Sequence, residues 1–304
     1  MATAAAAAAG FQKTCIVRKC MLSPTVCSIH LKLLFEDDEA EEGPSSSSII
    51  RQSRSFSFSP GQWIDFVVPN HTDWVGGFSL VSDPENLPEL SLAVRRSNHA
   101  PSIWVHDTSR VGSNVEIRVG GSCTLLPAST FSSKEHHQQR TATRPTVFLA
   151  GGIGIVPILS MYRARWLAAA AATTRSTTAT ISESCAASAS ATSLFYAAKT
   201  REELVFADEV ASLADCYGNK RRGDRLVLAL TQQENWDQDD NLDAERESVV
   251  EKGIGRQLMR SFLSTQSVHS IFYLCGPPVM IDDAVEILKG RGVPEAHLKY
   301  EKWW

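Results

Sequence analysis

The sequence lacks a long hydrophobic run and lacks a strong excess of charge of either sign. No stretch approaches the roughly 18 apolar residues that a membrane span needs, so no membrane span is expected. The net charge is −4, with 30 basic and 34 acidic residues. A chain with this balance offers no general basic field, and nucleic acid is therefore not an expected partner.

The sequence also lacks clustered cysteines. Its seven cysteines are scattered, at Cys15, Cys20, Cys27, Cys123, Cys185, Cys216 and Cys275. A zinc ribbon or a plant-type iron–sulfur centre needs a cluster of four, so no metal site is expected. An odd number of scattered cysteines is typical of a reducing compartment.

The first residues lack the features of a secretory signal. An alanine run replaces the basic and leucine-rich regions that such a signal needs. Lys13, Arg18 and Lys19, with few acids nearby, leave a mitochondrial presequence open, although a first strand beginning near Thr14 leaves little to cleave. An intracellular soluble protein is expected, with the cytoplasm favoured.

What is present is enough chain for two ordinary domains, 304 residues of normal globular composition. The first half alternates apolar and polar residues, and Gly–Pro and Gly–Gly pairs punctuate it. This pattern predicts strands at 25–33, 62–68, 90–94 and 115–119, in a small antiparallel β-barrel.

The second half alternates short apolar strands with helices. Strands are predicted at 146–150, 194–198, 225–231 and 270–275, with one helix after Thr200, capped through Glu203, and another from Pro278 to Gly290. Strand–helix alternation indicates a doubly wound α/β parallel sheet. The predicted domains are 12–143 and 144–304. Four polar or low-complexity segments are interpreted as surface insertions, at 36–48, 128–144, 168–193 and 232–250.

The strongest motif is the sequence VFLAGGIGIVP at 147–157. An apolar strand enters a glycine turn and then a helix, which is how a diphosphate comes to lie at a helix N-terminus. Gly151, Gly152 and Gly154 would let the backbone approach that diphosphate. The alternative from the motif alone is a tight turn with no ligand.

Three weaker motifs accompany it. IFYLCGPPVM at 271–280 places the Cys275 thiol at the carboxyl end of a strand, where such sheets bind ligands, although a buried structural cysteine would give the same pattern. WVGGFSLVS at 74–82 sets an aromatic beside a hydroxyl, which is also compatible with any strand start. YEKWW at 300–304 ends in two tryptophans, which suit a cofactor face, a core or an interface equally.

Taken in order, these motifs resemble the ferredoxin–NADP reductase superfamily. SPGQW at 59–63, VRRSNHAPS at 94–102 and LFYAAKT at 194–200 support the resemblance, which covers about 14–304 apart from the four insertions. It implies an FAD-binding barrel of the ferredoxin-reductase type followed by an NAD(P)-binding domain. The implied FAD contacts are Phe78, Ser79, Ser82, Asn98, Ser102 and Trp303. The implied nucleotide contacts are Gly151, Gly152, Ile153, Gly154, Ile155, Val156, Lys199, Gly276, Pro277 and Met280.

The resemblance also implies roles. Ser79, Cys275 and Glu301 match the catalytic cluster, Phe78 matches the aromatic that packs on the flavin, and Trp303 the terminal aromatic that covers it. One departure stands out, because Gly76 occupies the place of the arginine that neutralises the FAD diphosphate. We expect weaker FAD binding, or binding through Arg95, Arg96 and the 98–102 loop, and we expect Gly76→Arg to tighten it.

The predicted function is hydride transfer from NAD(P)H to bound FAD, followed by electron transfer to an unidentified acceptor, a separate protein or a small molecule. NADH is favoured, because TQQE at 231–234 lacks the arginine that grips a 2′-phosphate. Lys199 and Arg201 are basic residues that could bind a 2′-phosphate, so NADPH is the alternative donor. The alternative is a nucleotide-binding sensor or scaffold that has lost turnover, and a more distant one is an adaptor that binds through the insertions.

Overall fold

The chain forms two structural units that divide after Thr124, Met1–Thr124 and Leu125–Trp304. The computed structural model describes residues 10–35, 56–71, 73–126, 144–174, 191–218, 223–232, 250–254 and 256–302. The predicted domain boundary, between 143 and 144, lies at the end of a segment outside these ranges. Among the described helices, none has the length and hydropathy needed to cross a bilayer.

The first unit is a six-stranded antiparallel sheet with the strand order β4-β3-β6-β1-β2-β5. Its strands are β1 (Gln12–Ser23), β2 (Val26–Leu33), β3 (Trp63–Val67), β4 (Val75–Ser79), β5 (Glu89–Arg95) and β6 (Asn114–Gly120). A single bridge between Leu80 and Leu92 links the end of β4 to β5. The predicted antiparallel barrel is therefore confirmed as a barrel-like sheet that does not close completely.

Alternation explains how this sheet forms its core. Ile64 and Phe66 on β3 lie on the same face as Ile29 on β2 and Ile117 on β6, and all four side chains are fully buried. Burying a side chain of this size contributes about 1.5–3 kcal/mol. Between β5 and β6, the short helix α1 (Ala100–Ile103) runs into a π-helical turn, Trp104–Thr108, which adds Trp104 to the same core.

The second unit is a six-stranded parallel sheet with the order β10-β9-β8-β7-β11-β12. Its strands are β7 (Thr146–Gly151), β8 (Thr192–Ala198), β9 (Arg225–Leu230), β10 (Val250–Ile254), β11 (Ile271–Gly276) and β12 (Leu298–Lys302). Its helices are α2 (Ile155–Thr174), α3 (Ala207–Tyr217), α4 (Arg256–Thr265) and α5 (Pro278–Gly290). The predicted parallel sheet and the helix from Pro278 to Gly290 are confirmed.

Two local predictions in this unit were wrong. The insertion predicted at 168–193 overlaps helix at one end and strand at the other: α2 continues to Thr174, since alanine is the strongest helix former, and β8 begins at Thr192. The insertion predicted at 232–250 likewise reaches the first residue of β10. The N–H of Thr192 donates to the buried Asp224 Oδ1 at 2.7 Å, which fixes that strand end.

The capping box predicted at Thr200 is also wrong. The N–H of Glu203 donates to the carbonyl oxygen of Thr200 at 3.3 Å, which closes a turn rather than a helix. Leu204 is then buried, and α3 begins only at Ala207, with no side-chain cap. Burial of Leu204 therefore determines the path of the chain here more than the local capping signal does.

Candidate functional site

The two glycine turns of the second unit pack directly against each other. Ala150 on β7 is the register partner of Cys275 on β11, so both strands end at the same edge of the sheet. A Cβ atom on Gly154 would lie 2.6 Å from the carbonyl carbon of Cys275, closer than real atoms approach. Gly154 is thus required by the backbone of the neighbouring turn.

Met280 contacts both turns. A Cβ atom on Gly151 would lie 2.6 Å from the Met280 Cε and 2.7 Å from the Pro277 Cδ, and one on Gly276 would lie 2.7 Å from the same Cε. The sequence analysis predicted that these glycines let the backbone approach a diphosphate. The structure shows that Gly151 and Gly154 make room for the second turn and its side chains.

The remaining residues of the first turn divide by exposure. Gly152 has φ +53°, a left-handed conformation that favours glycine, and it is only half-buried, as is Ile153. Ile155 and Val156 have buried side chains, and the N–H of Ile155 donates to the carbonyl oxygens of Gly152 and Ile153. The first N–H groups of a helical turn lack internal acceptors, so a ligand could reach backbone donors at the start of this turn, where Gly152 and Ile153 are only half-buried.

Cys275 and Glu301, predicted as catalytic, are brought together by the fold. They are register partners on the parallel strands β11 and β12, so their side chains leave the sheet on the same face. The Cys275 side chain is buried, whereas Glu301 is half-buried. The Glu301 Oε2 is buried without a hydrogen-bond partner among the described residues, and burial raises the pKa of this carboxyl group.

The ends of β8 and β9 hold the residues predicted to select the nucleotide. The N–H and the hydroxyl of Thr231 both donate to the carbonyl oxygen of Ala198, and the N–H of Gln232 donates to that of Lys199 at 3.0 Å. Lys199 is exposed, and Arg201 forms an ion pair with Asp208 at 3.5 Å. Residues 233 and 234 lie outside the described part of the chain.

In the first unit, Ser79 ends β4 opposite Trp63 on β3. The Trp63 indole lies across two glycines, because a Cβ atom on Gly120 or Gly121 would lie 2.6 to 2.7 Å from its ring atoms. Sequence reasoning did not count Trp63 among the site residues. The only sequence feature that marks this packing is the glycine pair at 120–121, which leaves room for an aromatic ring.

Gly76 and Phe78 face the interior of the barrel-like sheet. Gly76 is paired with Phe66 and Phe78 with Ile64, and the Phe78 ring packs edge-on against Phe66 with centroids 5.5 Å apart. A Cβ atom on Gly76 would lie 2.8 Å from the Phe78 Cζ and 2.8 Å from the Pro101 Cβ. Because a side chain at residue 76 would have to displace Phe78 or Pro101, this packing argues against the expected benefit of Gly76→Arg for FAD binding.

Asn98 and Ser102, both predicted to contact FAD, differ in exposure. Asn98 is exposed. The Ser102 hydroxyl is buried, donates to the carbonyl oxygen of Arg95 at 2.8 Å and accepts the N–H of Ser97 at 3.0 Å.

Two further predicted FAD positions can be compared with the structure. The hydroxyl of Ser82 is similarly buried and accepts the N–H of Ser91 at 3.1 Å. This hydrogen bond ties the Ser82 side chain to β5. Trp303, predicted to cover the flavin, lies outside the described residues.

Comparison with known proteins agrees with both units. The family profile described as "Oxidoreductase NAD-binding domain" matches residues 148–286. The chain is 34% identical over 271 residues to "Oxidoreductase NAD-binding domain-containing protein 1" of Pongo abelii, covering 87% of this chain and 77% of that protein. The Homo sapiens protein of the same name is 34% identical over 272 residues, with the same coverage.

Two solved structures share the fold. The Amycolatopsis cytochrome P450 reductase GcoB has a TM-score of 0.65 and 20% identity, covering 96% of this chain and 69% of that one. A ferredoxin NADP+ reductase from Neisseria gonorrhoeae, with bound FAD and NADP, has a TM-score of 0.61 and 17% identity, covering 97% and 99%. At these identities the likeness establishes the fold of a ferredoxin reductase.

Proposed function

This chain belongs to the oxidoreductase NAD-binding domain-containing protein 1 family, and from that membership we propose that it is an NAD(P)H-dependent flavoprotein oxidoreductase. It takes a hydride from the nicotinamide nucleotide onto a bound flavin, FAD by resemblance, and passes the electrons on. One observation carries the proposal: Cys275 and Glu301 lie side by side at the strand ends where the two glycine turns meet.

The residues of the second unit fit a nicotinamide nucleotide. The half-buried turn at Gly152 and Ile153 leads into the 20-residue helix α2, and the N-terminal end of a helix favours binding of a diphosphate. Cys275 positions the nicotinamide ring, and Glu301 lies beside it as the proton-carrying group, with a pKa that burial raises above its ordinary value. The bound cofactors themselves supply the hydride chemistry.

The first unit contributes Ser79, which by resemblance lies near the reactive nitrogen of the flavin. Trp63 is the register partner of Ser79 on β3, and its indole ring lies over Gly120 and Gly121. The role of Phe78 as the aromatic that packs on the flavin stays a prediction, because its ring also packs against Phe66 in the interior.

We propose NADH as the preferred donor. Thr231 and Gln232 follow β9 with neutral side chains, and Arg201 is already paired with Asp208. A 2′-phosphate then lacks the forked guanidinium that binds it best. Lys199, exposed beside them, is the residue through which NADPH would still be accepted.

The experiment is a steady-state assay of NADH oxidation with an artificial electron acceptor such as ferricyanide, with and without added flavin. The proposal requires flavin-dependent turnover that is faster with NADH than with NADPH. Turnover with NADPH alone would reject the donor preference, and binding of both cofactors without turnover would favour the nucleotide-binding module. The crowding at Gly76 is the observation that favours that second candidate.

A further inference from the structure

Strand β1 has a neighbouring strand on both sides only along its first part. It pairs with β2 over 14–23, but with β6 only over 12–15. Ile16 extends the second side by one residue, because its N–H donates to the Ser113 carbonyl oxygen at 2.9 Å and its carbonyl oxygen accepts the Gly112 N–H at 2.8 Å. Among the described residues no strand continues this side, so the rest of β1 is an open sheet edge.

This open edge, residues 17–23, exposes apolar side chains. Val17 is 38% exposed and Met21 53%, and Val111, in the loop before β6, is 63% exposed. Charged side chains and bulges commonly protect an edge strand from pairing, and β1 has both at Arg18. Exposed apolar side chains give no such protection, since they favour burial against a partner.

A cleft of about 320 Å³ lies beside the open edge, lined by residues 19–21 of the strand and 109–111 of the loop. The Lys19 ammonium joins the strand to the loop, since it donates to the carbonyl oxygens of His106 and Ser109 at 3.0 Å each. These hydrogen bonds hold the loop against the strand and give the cleft a defined shape.

The cleft is lined with positive charge. It contains the cations of Lys19 and Arg110, and its lining residues include no acidic side chain. Arg110 donates to the backbone carbonyl oxygens of 107–109, and neither cation forms an ion pair with a carboxylate in the described part of the chain. The carboxylate of Asp107 is bound instead by Arg96, through two hydrogen bonds of 2.8 Å.

We infer that the open edge binds an extended acidic segment of another protein, which adds a strand beside β1 and sets its carboxylates near Lys19 and Arg110. In strand addition, backbone hydrogen bonds supply affinity and side chains supply specificity. A second copy of this chain is a poorer occupant, because pairing two such edges would bring like charges together. The inference does not rest on the proposed function, since the cleft lies within the first unit and no flavin or nucleotide takes part.

The test is fluorescence anisotropy of a labelled peptide that alternates valine and glutamate over the length of the open edge, titrated with the purified full chain. We expect saturable binding that weakens as salt is added. A peptide with lysine for glutamate, and one N-methylated at every residue, should bind at least about tenfold more weakly, since the first reverses the charge and the second cannot pair as a strand. No binding of the glutamate peptide, or equal binding of the N-methylated one, would overturn the inference.

Two exposed thiols locate the bound peptide. Cys20 lines the cleft, and Cys216 lies on α3 of the second unit. The glutamate peptide at saturation should slow alkylation of Cys20 by iodoacetamide severalfold and leave Cys216 unchanged, as measured by mass spectrometry. An unprotected Cys20 would place the peptide elsewhere and overturn the inference.

Charge substitutions provide the matched variants. Met21→Glu and Val111→Glu each put a carboxylate at the cleft and should weaken binding of the glutamate peptide by about tenfold or more. Leu167→Glu, at an exposed leucine of α2, is the control and should bind as the wild type does. Circular dichroism checks that each variant is folded, and unchanged binding by a folded cleft variant would overturn the inference.

The other occupants have their own outcomes. Sedimentation equilibrium of the full chain tests for a second copy, and co-sedimentation with phosphatidylserine vesicles tests for a membrane surface. Self-association that Met21→Glu abolishes, or vesicle binding that excludes the peptide, would overturn the inference in favour of that occupant.

Discussion

Cys275 and Glu301 are register partners on the neighbouring parallel strands β11 and β12. The sequence separates them by a helix and a loop, and only the closing strand of the sheet sets them side by side. A buried thiol beside a partly buried carboxyl group, at the ligand-binding edge of a parallel sheet, is the arrangement on which the proposed chemistry depends.

Replacing the thiol tests its positioning role. We expect Cys275→Ala to slow flavin reduction by NADH by about a hundredfold, the effect of misplacing a reacting group by about 1 Å. Flavin affinity should not change. The measurement is anaerobic stopped-flow absorbance at the flavin band. Cys216→Ala, at an exposed cysteine of α3, is the matched control and should leave the rate as it is.

Replacing the carboxyl group separates stability from activity. Burial raises the Glu301 pKa above its ordinary 4.5, so the folded state binds the proton more tightly than the unfolded state does. The contribution of this carboxyl group to stability is then fully present below pH 4.5 and is lost as the pH rises through the window up to the raised pKa. We expect Glu301→Gln to remove this fall and to raise the Tm at neutral pH, with no gain below pH 4.5.

The same substitution should reduce activity. A positioned proton donor contributes about a hundredfold or more to a rate, and an amide cannot supply the proton. Glu286→Gln, on the exposed face of α5, is the control for both measurements. A lower Tm together with unchanged turnover would show that Glu301 has a purely structural role.

The contact between the two glycine turns predicts that alanine substitutions at Gly154 and at Gly290 change the free energy of unfolding in opposite directions. Gly154→Ala forces a Cβ against the Cys275 backbone, so it should cost about 3 kcal/mol or more of unfolding free energy. Gly290→Ala, at the end of α5, meets nothing within 4 Å and should stabilise the chain by about 0.4–1 kcal/mol. Urea denaturation measures both, and equal values would refute the packing described at the turns.

Gly76 gives a prediction with two readouts. We expect Gly76→Arg to lower the Tm, because its Cβ meets Phe78 and the rigid ring of Pro101, and to leave FAD affinity without a gain. Thermal unfolding and flavin titration check this. A stable Gly76→Arg protein that binds FAD at least tenfold more tightly would mean that the arginine position is open after all.

The architecture of both units was predictable from the sequence, because period-two alternation and strand–helix alternation are local patterns. β4 was not predicted as a strand, since its two glycines indicated a turn, and β12 was missed because LKYEK is short and three of its five residues are charged. Both strands carry candidate site residues. Their pairing is imposed by the neighbours β3 and β11 rather than by their own propensity.

The candidate site was predictable as a set of positions but not as a set of contacts. The sequence singled out the glycines of the first turn, but the close packing at Gly151 and Gly154 depends on the second turn, which lies far away in sequence. The obstruction at Gly76 by Pro101 likewise depends on how the 98–102 loop folds over β4. Such contacts follow from tertiary packing, which no local pattern records.

The central claim is tested most directly by the absorption spectrum of the flavin-loaded protein before and after anaerobic addition of NADH. The account predicts flavin bands that bleach with NADH, and that bleach more slowly in Cys275→Ala. An added electron acceptor should restore the bands, and further NADH should bleach them fully again once the acceptor is consumed. Flavin bands that stay unchanged with both NADH and NADPH would contradict it, and a nucleotide-binding module without turnover would then be the better description.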